Sequence, residues 1–385
     1  MNWDEWKERE KIYACWLCNF PYIGNKQLHR LSEVCGGPEG VYLASPEIWG
    51  SVLSPEQVKR LKEHTAKWPP RKCYDRMREQ GIKIVTLKDS EYPGRLKDIS
   101  DAPYGLFVRG KLPEENVPVV AVIGARECSE YGKYVAKQLG TVLGRCKITV
   151  ISGMARGIDC ISQEAAMEAG GSSIGVLGCG VDICYPVQNR ELYHRLAKTG
   201  AVLSSYPMGT PALPQNFPPR NRIVSGLADV VVVVEARMKS GTLITVDMAL
   251  EQGREVYIVP GRVTDRLSDG CNRLIRQGAG VLLDPEEFVE EVWKLYQRKV
   301  GVAEPSVVET VDRYSDIAAA KELHLPSELT AVYKALDFSP RSTEEIRGKL
   351  PEKYHDQQIV SCLMRLCMEK LAIQISPGRF CRTGE

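Results

Sequence analysis

"DVVVVVEARMKSGTLITVDMALEQGREVYIVPG", Asp229 to Gly261, decides the fold. Five consecutive valines form a run too apolar for a half-exposed strand, and they suit a strand buried on both faces of a parallel sheet. "EVYIVPG" (255–261) gives a second such run. Between them "TLITVDMALEQG" has a helical pattern. Strand, helix, strand is the unit from which parallel sheets are built.

Upstream the same rhythm recurs. "PVVAVIG" (118–124), "KITVISG" (147–153), "SSIGVLG" (172–178) and "AVLSSY" (201–206) read as strands. A helix is predicted around "YGKYVAKQLGTVLG" and another at 158–169. Downstream come the helix "CNRLIRQG" and the strand "GVLLD". The class is therefore α/β, with a Rossmann-like, doubly wound parallel sheet. Two further strands, "IKIVTL" and "YGLFVRG", fall at 82–110.

The flanks differ. Residues 1–75 read as a small helical domain of the SAM or helix-hairpin-helix kind, punctuated by Pro21, Gly24, Gly36, Gly37 and Gly40. Residues 80–298 make the extended Rossmann-like domain. The polar, acidic stretch 299–325 reads as a linker. Residues 326–385 form a third unit. It has "SELTAVYKALDF", a capping box of Ser342 and Glu345, a helix at 356–371 and a hairpin turning at Pro377-Gly378. That order is winged-helix-like.

Charge is nearly balanced, 51 Lys+Arg against 49 Asp+Glu, so contact with nucleic acid needs a local basic surface. The start "MNWDEWKERE" is not a signal peptide, no run has membrane-spanning length, and the expected location is the cytoplasm with no membrane partner. The 13 cysteines read as buried small side chains of a reducing compartment. Cys15 and Cys18 lack the second pair or the histidines that zinc needs, so no metal and no cofactor are expected.

Ligands of open parallel sheets bind beyond the carboxyl ends of the strands. The loops there are Gly-rich, and most carry a cation. They present Gly124 and Arg126, then Ser152, Gly153 and Arg156, and finally Lys239, Ser240, Gly241 and Thr242 at a helix start. "FPPRNR" brings Phe217, Arg220, Asn221 and Arg222 to the same edge. Backbone N–H groups at helix starts, glycines and guanidinium groups suit phosphates. Phe217 suits base stacking, although such a residue taken alone is more often a core plug. Asp159 and Asp182 suit loop bracing.

In sequence order, "GARECSEYG", "SGMARGID", "LGCGVDICYP", "FPPRNRIVSGL", "KSGTLITVDMALEQGREVYIVPG" and "GCNRLIRQGA" resemble the DprA/Smf family over about residues 90–285. The resemblance implies a protein that binds and protects single-stranded DNA in natural transformation and loads the RecA recombinase onto it. It implies a homodimer, with Leu274 and Ile275 as candidates for the interface. It places the DNA pocket on Gly124, Arg126, Ser152, Gly153, Phe217, Arg220, Asn221, Arg222 and the loop Lys239–Thr242. Many members have Ser where this chain has Ala125 and Thr242.

An enzymatic reading competes. Phosphoribohydrolases of the LOG type resemble such a sheet and carry P-G-G-x-G-T-x-x-E, whose Glu acts at the sugar. Here that position is Thr245, which cannot stabilise an oxocarbenium-like centre, so no catalysis is expected. His194, in "ELYHRLAK", reads as an exposed helix residue. A third reading gives the C-terminal unit duplex DNA. The helix at 356–371 offers only Arg365 and Lys370, which favours protein contact instead.

Overall fold

The computed structural model describes residues 3–300, 326–338, 340–351 and 354–383. The strands are β1 (Ile82–Thr86), β2 (Gly105–Gly110), β3 (Val119–Ile123), β4 (Thr149–Ser152), β5 (Ser173–Val176), β6 (Ala201–Ser204), β7 (Val230–Val233), β8 (Glu255–Ile258) and β9 (Gly280–Val281). They form one sheet in the order β1-β2-β6-β5-β4-β3-β7-β8-β9. Seven of them, β3 to β9, run parallel, with Val120 opposite Val230 and Ile151 opposite Ile174. The other two, β1 and β2, extend the sheet antiparallel along β6.

The valine runs work because successive side chains point to opposite faces. Val119, Ala121, Ile123, Val231 and Val233 enter one core, with Ile223, Val224 and Val246 from covering helices. Val120, Val122, Val150, Val230 and Val232 enter the other, against Leu139, Leu143, Phe288 and Val292. Both faces are thus dry, and no alternating polar residue is needed.

The helix Pro285–Val300 belongs to this body. Its Lys299 ammonium lies 3.1 Å from Asp229, and its Tyr296 hydroxyl donates to the Glu115 carbonyl. The Asp229 side chain is buried, pairs with Arg95 at 2.9 Å and accepts from the Val119 N–H at 2.9 Å, at the first residue of β3. The linker expected at 299–325 therefore has its first two residues in a helix, and the rest lies outside the described residues.

Six helices span Trp3–Glu79. Their core is continuous with the antiparallel end of the sheet, since Trp16, Leu17, Phe20 and Met77 pack in one cluster with Ile84, Phe107 and Val202. Cys15 and Cys18 are buried there, and burial pushes the Cys18 thiol up to about 12. Among the described residues no group of three His, Cys, Asp or Glu side chains could hold a metal ion. No helix described is long and apolar enough to cross a membrane.

His64 sits in this cluster, its Nε2 donating to the Trp16 carbonyl at 3.2 Å and its ring 5.5 Å from that of Trp16. Burial holds its pKa below the ordinary histidine value. The folded state thus favours the neutral ring, so the stability present above the ordinary value is lost as pH falls from that value down through the depressed one. Thermal unfolding is expected at lower temperature near pH 5 than near pH 7, with His64→Phe flattening the difference. An unchanged pH slope in the variant would assign the loss elsewhere.

The C-terminal residues form helices Ser327–Ala335, Thr343–Arg347 and Asp356–Met368 and a small antiparallel sheet in the order β10-β12-β11, with β10 at Arg341–Ser342, β11 at Ala372–Ser376 and β12 at Arg379–Arg382. The Ser342 hydroxyl accepts from the Glu345 N–H at 3.1 Å and the Glu345 carboxylate accepts from the Ser342 N–H at 2.6 Å, closing the capping box.

Candidate nucleic-acid interface

The chain lays down β3 first among the parallel strands, adds β4, β5 and β6 on one side, then returns to add β7, β8 and β9 on the other. Loops leaving β3 and β7 diverge, so a crevice opens at their carboxyl ends. A cleft of about 520 Å³ lies there, lined by the Gly124–Arg126 turn, Gly153, Phe217, Arg220, Asn221 and the Ser240–Thr242 turn. A recess of about 50 Å³ adjoins it, shares Tyr185 with it and adds Arg156, Gly178 and Cys179.

Arg220 organises the floor. It lies in the first turns of the helix Phe217–Leu227 and is buried. Its guanidinium donates to the carbonyls of Gly153, at 2.9 Å, and Val176, and to Asn221 Oδ1 at 3.2 Å. Gly153 is required for this approach, because a Cβ there would stand 2.6 Å from the guanidinium. Burial depresses the Arg220 pKa, and the charge of Asp159 opposes that. Asp159 is buried too, and desolvation raises its pKa against the pull of Arg220 and of the N–H groups of Gly153 and Ala155. Those N–H groups donate to Asp159 at 3.1 and 3.3 Å, so the carboxylate braces the turn after β4.

The rim is different in kind. Arg126 and Arg156 are exposed. Neither has a carboxylate within ion-pair distance among the described residues. Arg126 stands 5.7 Å from the centre of the Phe217 ring, and the Tyr185 ring lies 5.6 Å from it. Two aromatic rings and two unneutralised cations thus share one mouth. On the opposite wall Ser240 caps the helix Gly241–Glu251, accepting from the Thr242 N–H at 3.1 Å, while the Thr242 hydroxyl donates to the Gly124 carbonyl at 3.3 Å. This ties the β3 and β7 loops together and aims a helix N-terminus at the cleft.

Three predicted residues stand apart. Arg222 does not line the cleft. Two residues beyond Arg220 a helix has turned by more than half, and the Arg222 guanidinium instead donates to the Asp101 carbonyl and lies 3.4 Å from the Asp101 carboxylate. The Ser152 hydroxyl is buried and donates to the Val122 carbonyl at 2.7 Å, closed to a ligand. Lys239 is exposed beside Ser240 but outside the lining. Leu274 and Ile275 are partly buried and pack against the sheet core. His194 is exposed, as its place on the helix predicts.

Thr245 is buried and lines the cleft, so its position alone does not dismiss a hydrolase. Its chemistry does. The carboxylate lining the cleft is Asp159, already bound to backbone N–H groups. Sequence reasoning missed Tyr185, whose only local signal is its place in the loop after β5.

The protein-family model described as DNA recombination-mediator protein A matches residues 83–293, more than half of the chain. The DNA processing protein DprA of Bacillus subtilis is 37% identical over 268 residues, 68% of this chain and 89% of that protein. DprA of Streptococcus pneumoniae is 41% identical over 214 residues, 55% of this chain and 75% of the other. An X-ray structure of the latter superposes with a TM-score of 0.64, at 32% identity, covering 73% of this chain and 97% of that one. DNA processing protein A from Helicobacter pylori, whose structure was described for its single-stranded DNA binding mode, covers 56% of this chain and 98% of its own at TM-score 0.50 and 28% identity. A nine-stranded sheet with a switch-point cleft, the chained loop motifs and these matches agree: the chain belongs to the DNA recombination-mediator protein A family.

Proposed function

We propose that this protein binds single-stranded DNA in the switch-point cleft as a non-enzymatic DNA-processing factor. The carrying observation is the mouth where Arg126 and Arg156, free of carboxylates, flank the rings of Phe217 and Tyr185. Phosphates meet the guanidinium groups and the helix start, and unpaired bases reach the rings. Duplex bases stay stacked and cannot. Such contacts carry no base code, so binding is sequence-tolerant. The single-stranded DNA binding mode of the Helicobacter pylori relative supports this reading.

Family membership extends the proposal. The bound strand is delivered to the RecA recombinase, and two copies pair near Leu274 and Ile275 so that two clefts serve one strand. The order of helices and hairpin in residues 327–382 supports a winged-helix reading of the C-terminal unit. Exposed Val360, Met364 and Met368 on its third helix favour a protein contact over groove reading.

Fluorescence anisotropy with labelled oligo-dT over a salt series tests the cleft. Arg126→Ala is expected to weaken binding by about tenfold and to lower the salt slope by about one, with the melting temperature unchanged. A well-folded Arg126→Ala that binds as wild type, or a wild type that prefers duplex, would sink the proposal.

A further inference from the structure

A larger cleft, of about 790 Å³, lies where the N-terminal helices meet the loop 207–211. Helix Pro55–Lys67 lines it with Lys59, Arg60 and Lys67, and helix Pro70–Glu79 with Arg76. Lys59, Lys67 and Arg76 are exposed and have no carboxylate within ion-pair distance among the described residues. Of the lining acids, Glu56 is engaged with Arg60 at 2.8 Å, which leaves Glu63. Aromatic faces sit among these cations. Lys67 and Arg76 stand 5.8 and 5.9 Å from the centre of the Trp68 ring, and Arg60 is 4.3 Å over the half-exposed ring of Tyr22. Interleaved cations and aromatic rings are what hold unpaired nucleotides.

The opposite wall connects this cleft to the first. Pro207–Pro211 line the larger cleft, while Pro214 and Phe217 line the switch-point cleft. Pro211 and Pro214 are three residues apart, so roughly 10 Å of chain separates the two. The loop is braced. The Met208 N–H donates to Asn19 Oδ1 at 3.2 Å, the Gly209 N–H to Asp182 at 2.9 Å, and the Tyr206 hydroxyl to the Asn216 carbonyl at 2.9 Å.

We propose that this second cleft holds a further stretch of the same single strand, entering it across the 207–214 loop from the switch-point cleft. The inference rests on the reading of the first cleft and deepens it. The N-terminal helices then extend the footprint of the strand rather than only buttressing the sheet.

Anisotropy with oligo-dT of about 6 and about 20 nucleotides separates the two clefts. The full chain is compared with Lys59→Glu/Lys67→Glu, two exposed changes that leave the core alone. Wild type is expected to gain about tenfold or more in affinity from the longer strand. The double variant should bind the short strand within about twofold of wild type and gain about threefold or less from lengthening. Trp68→Ala, checked for an unaltered melting temperature, should lose the same gain. If both variants keep the full gain, the second cleft does not carry the strand, and its cations serve another partner such as an acidic peptide. If wild type binds neither length, the first reading fails and this one with it.

Discussion

Arg220→Ala is expected to destabilise the protein by about 3–5 kcal/mol, the cost of stripping one partner from a buried charged network. The guanidinium satisfies the carbonyls of Gly153 and Val176 and acts on Asp159 across the floor of the cleft. Its removal leaves Asp159 buried without its cation and two carbonyls without a donor, each orphan costing about 1–3 kcal/mol. At about 2–4 °C per kcal/mol in a domain of this size, the melting temperature should fall by roughly 6–20 °C. Near-UV circular dichroism during heating measures it. Arg126→Ala, one side chain away across the Phe217 ring, should lose DNA and keep its melting temperature. A stable Arg220→Ala, shifted by less than about 1 kcal/mol, would mean that Arg220 does not hold Gly153, Val176 and Asp159 together.

The second large effect concerns two helices. Gly140 and Gly144 lie on the inner face of the helix Glu130–Arg145, against the helix Ile158–Glu168. A Cβ at Gly140 would stand 2.3 Å from the Ser162 carbonyl oxygen, and one at Gly144 2.3 Å from that of Ala166. Helix propensity alone predicts that Gly144→Ala stabilises by about 1 kcal/mol. The contact is with backbone, which cannot swing aside, and overpacking costs about 1–3 kcal/mol, occasionally more. Packing is expected to win, for a net loss of about 2 kcal/mol by urea unfolding. Gly140→Ala/Gly144→Ala should lose roughly twice that, since each clash is with a separate residue. A stabilised Gly144→Ala would mean the helices stand further apart than described.

The strands from β3 to β9 were legible because each is a short apolar run, most of them ended by Gly, Ser or Pro, and their parallel pairing followed from the helices between them. The switch-point loops followed from that topology. Arg222 is near Arg220 in sequence but not in space, because the helix carries it round to Asp101. Ser152 ends a strand whose last side chain points into the core, where hydroxyl and carbonyl meet. The fusion of the N-terminal helices to the sheet was not legible. Trp16 and Phe107 share one core cluster, and no local periodicity reports packing across ninety residues. The larger cleft was invisible for the same reason, since its walls lie at 19–76 and 207–211.

Asp229 sits at the opposite end of the sheet from the cleft, yet it sets where the protein can be divided. It receives Arg95 from before the first parallel strand and Lys299 from the last turn of the helix Pro285–Val300. That helix also supplies Phe288, Val289 and Val292 to the core beneath β3 and β7. The smallest autonomous piece is therefore bounded by this charge cluster and not by the last strand. A fragment ending at residue 284 discards the lid of one sheet face and leaves a buried carboxylate short of a cation. One ending at residue 300 retains both, and removes the C-terminal unit while keeping every residue that lines the switch-point cleft.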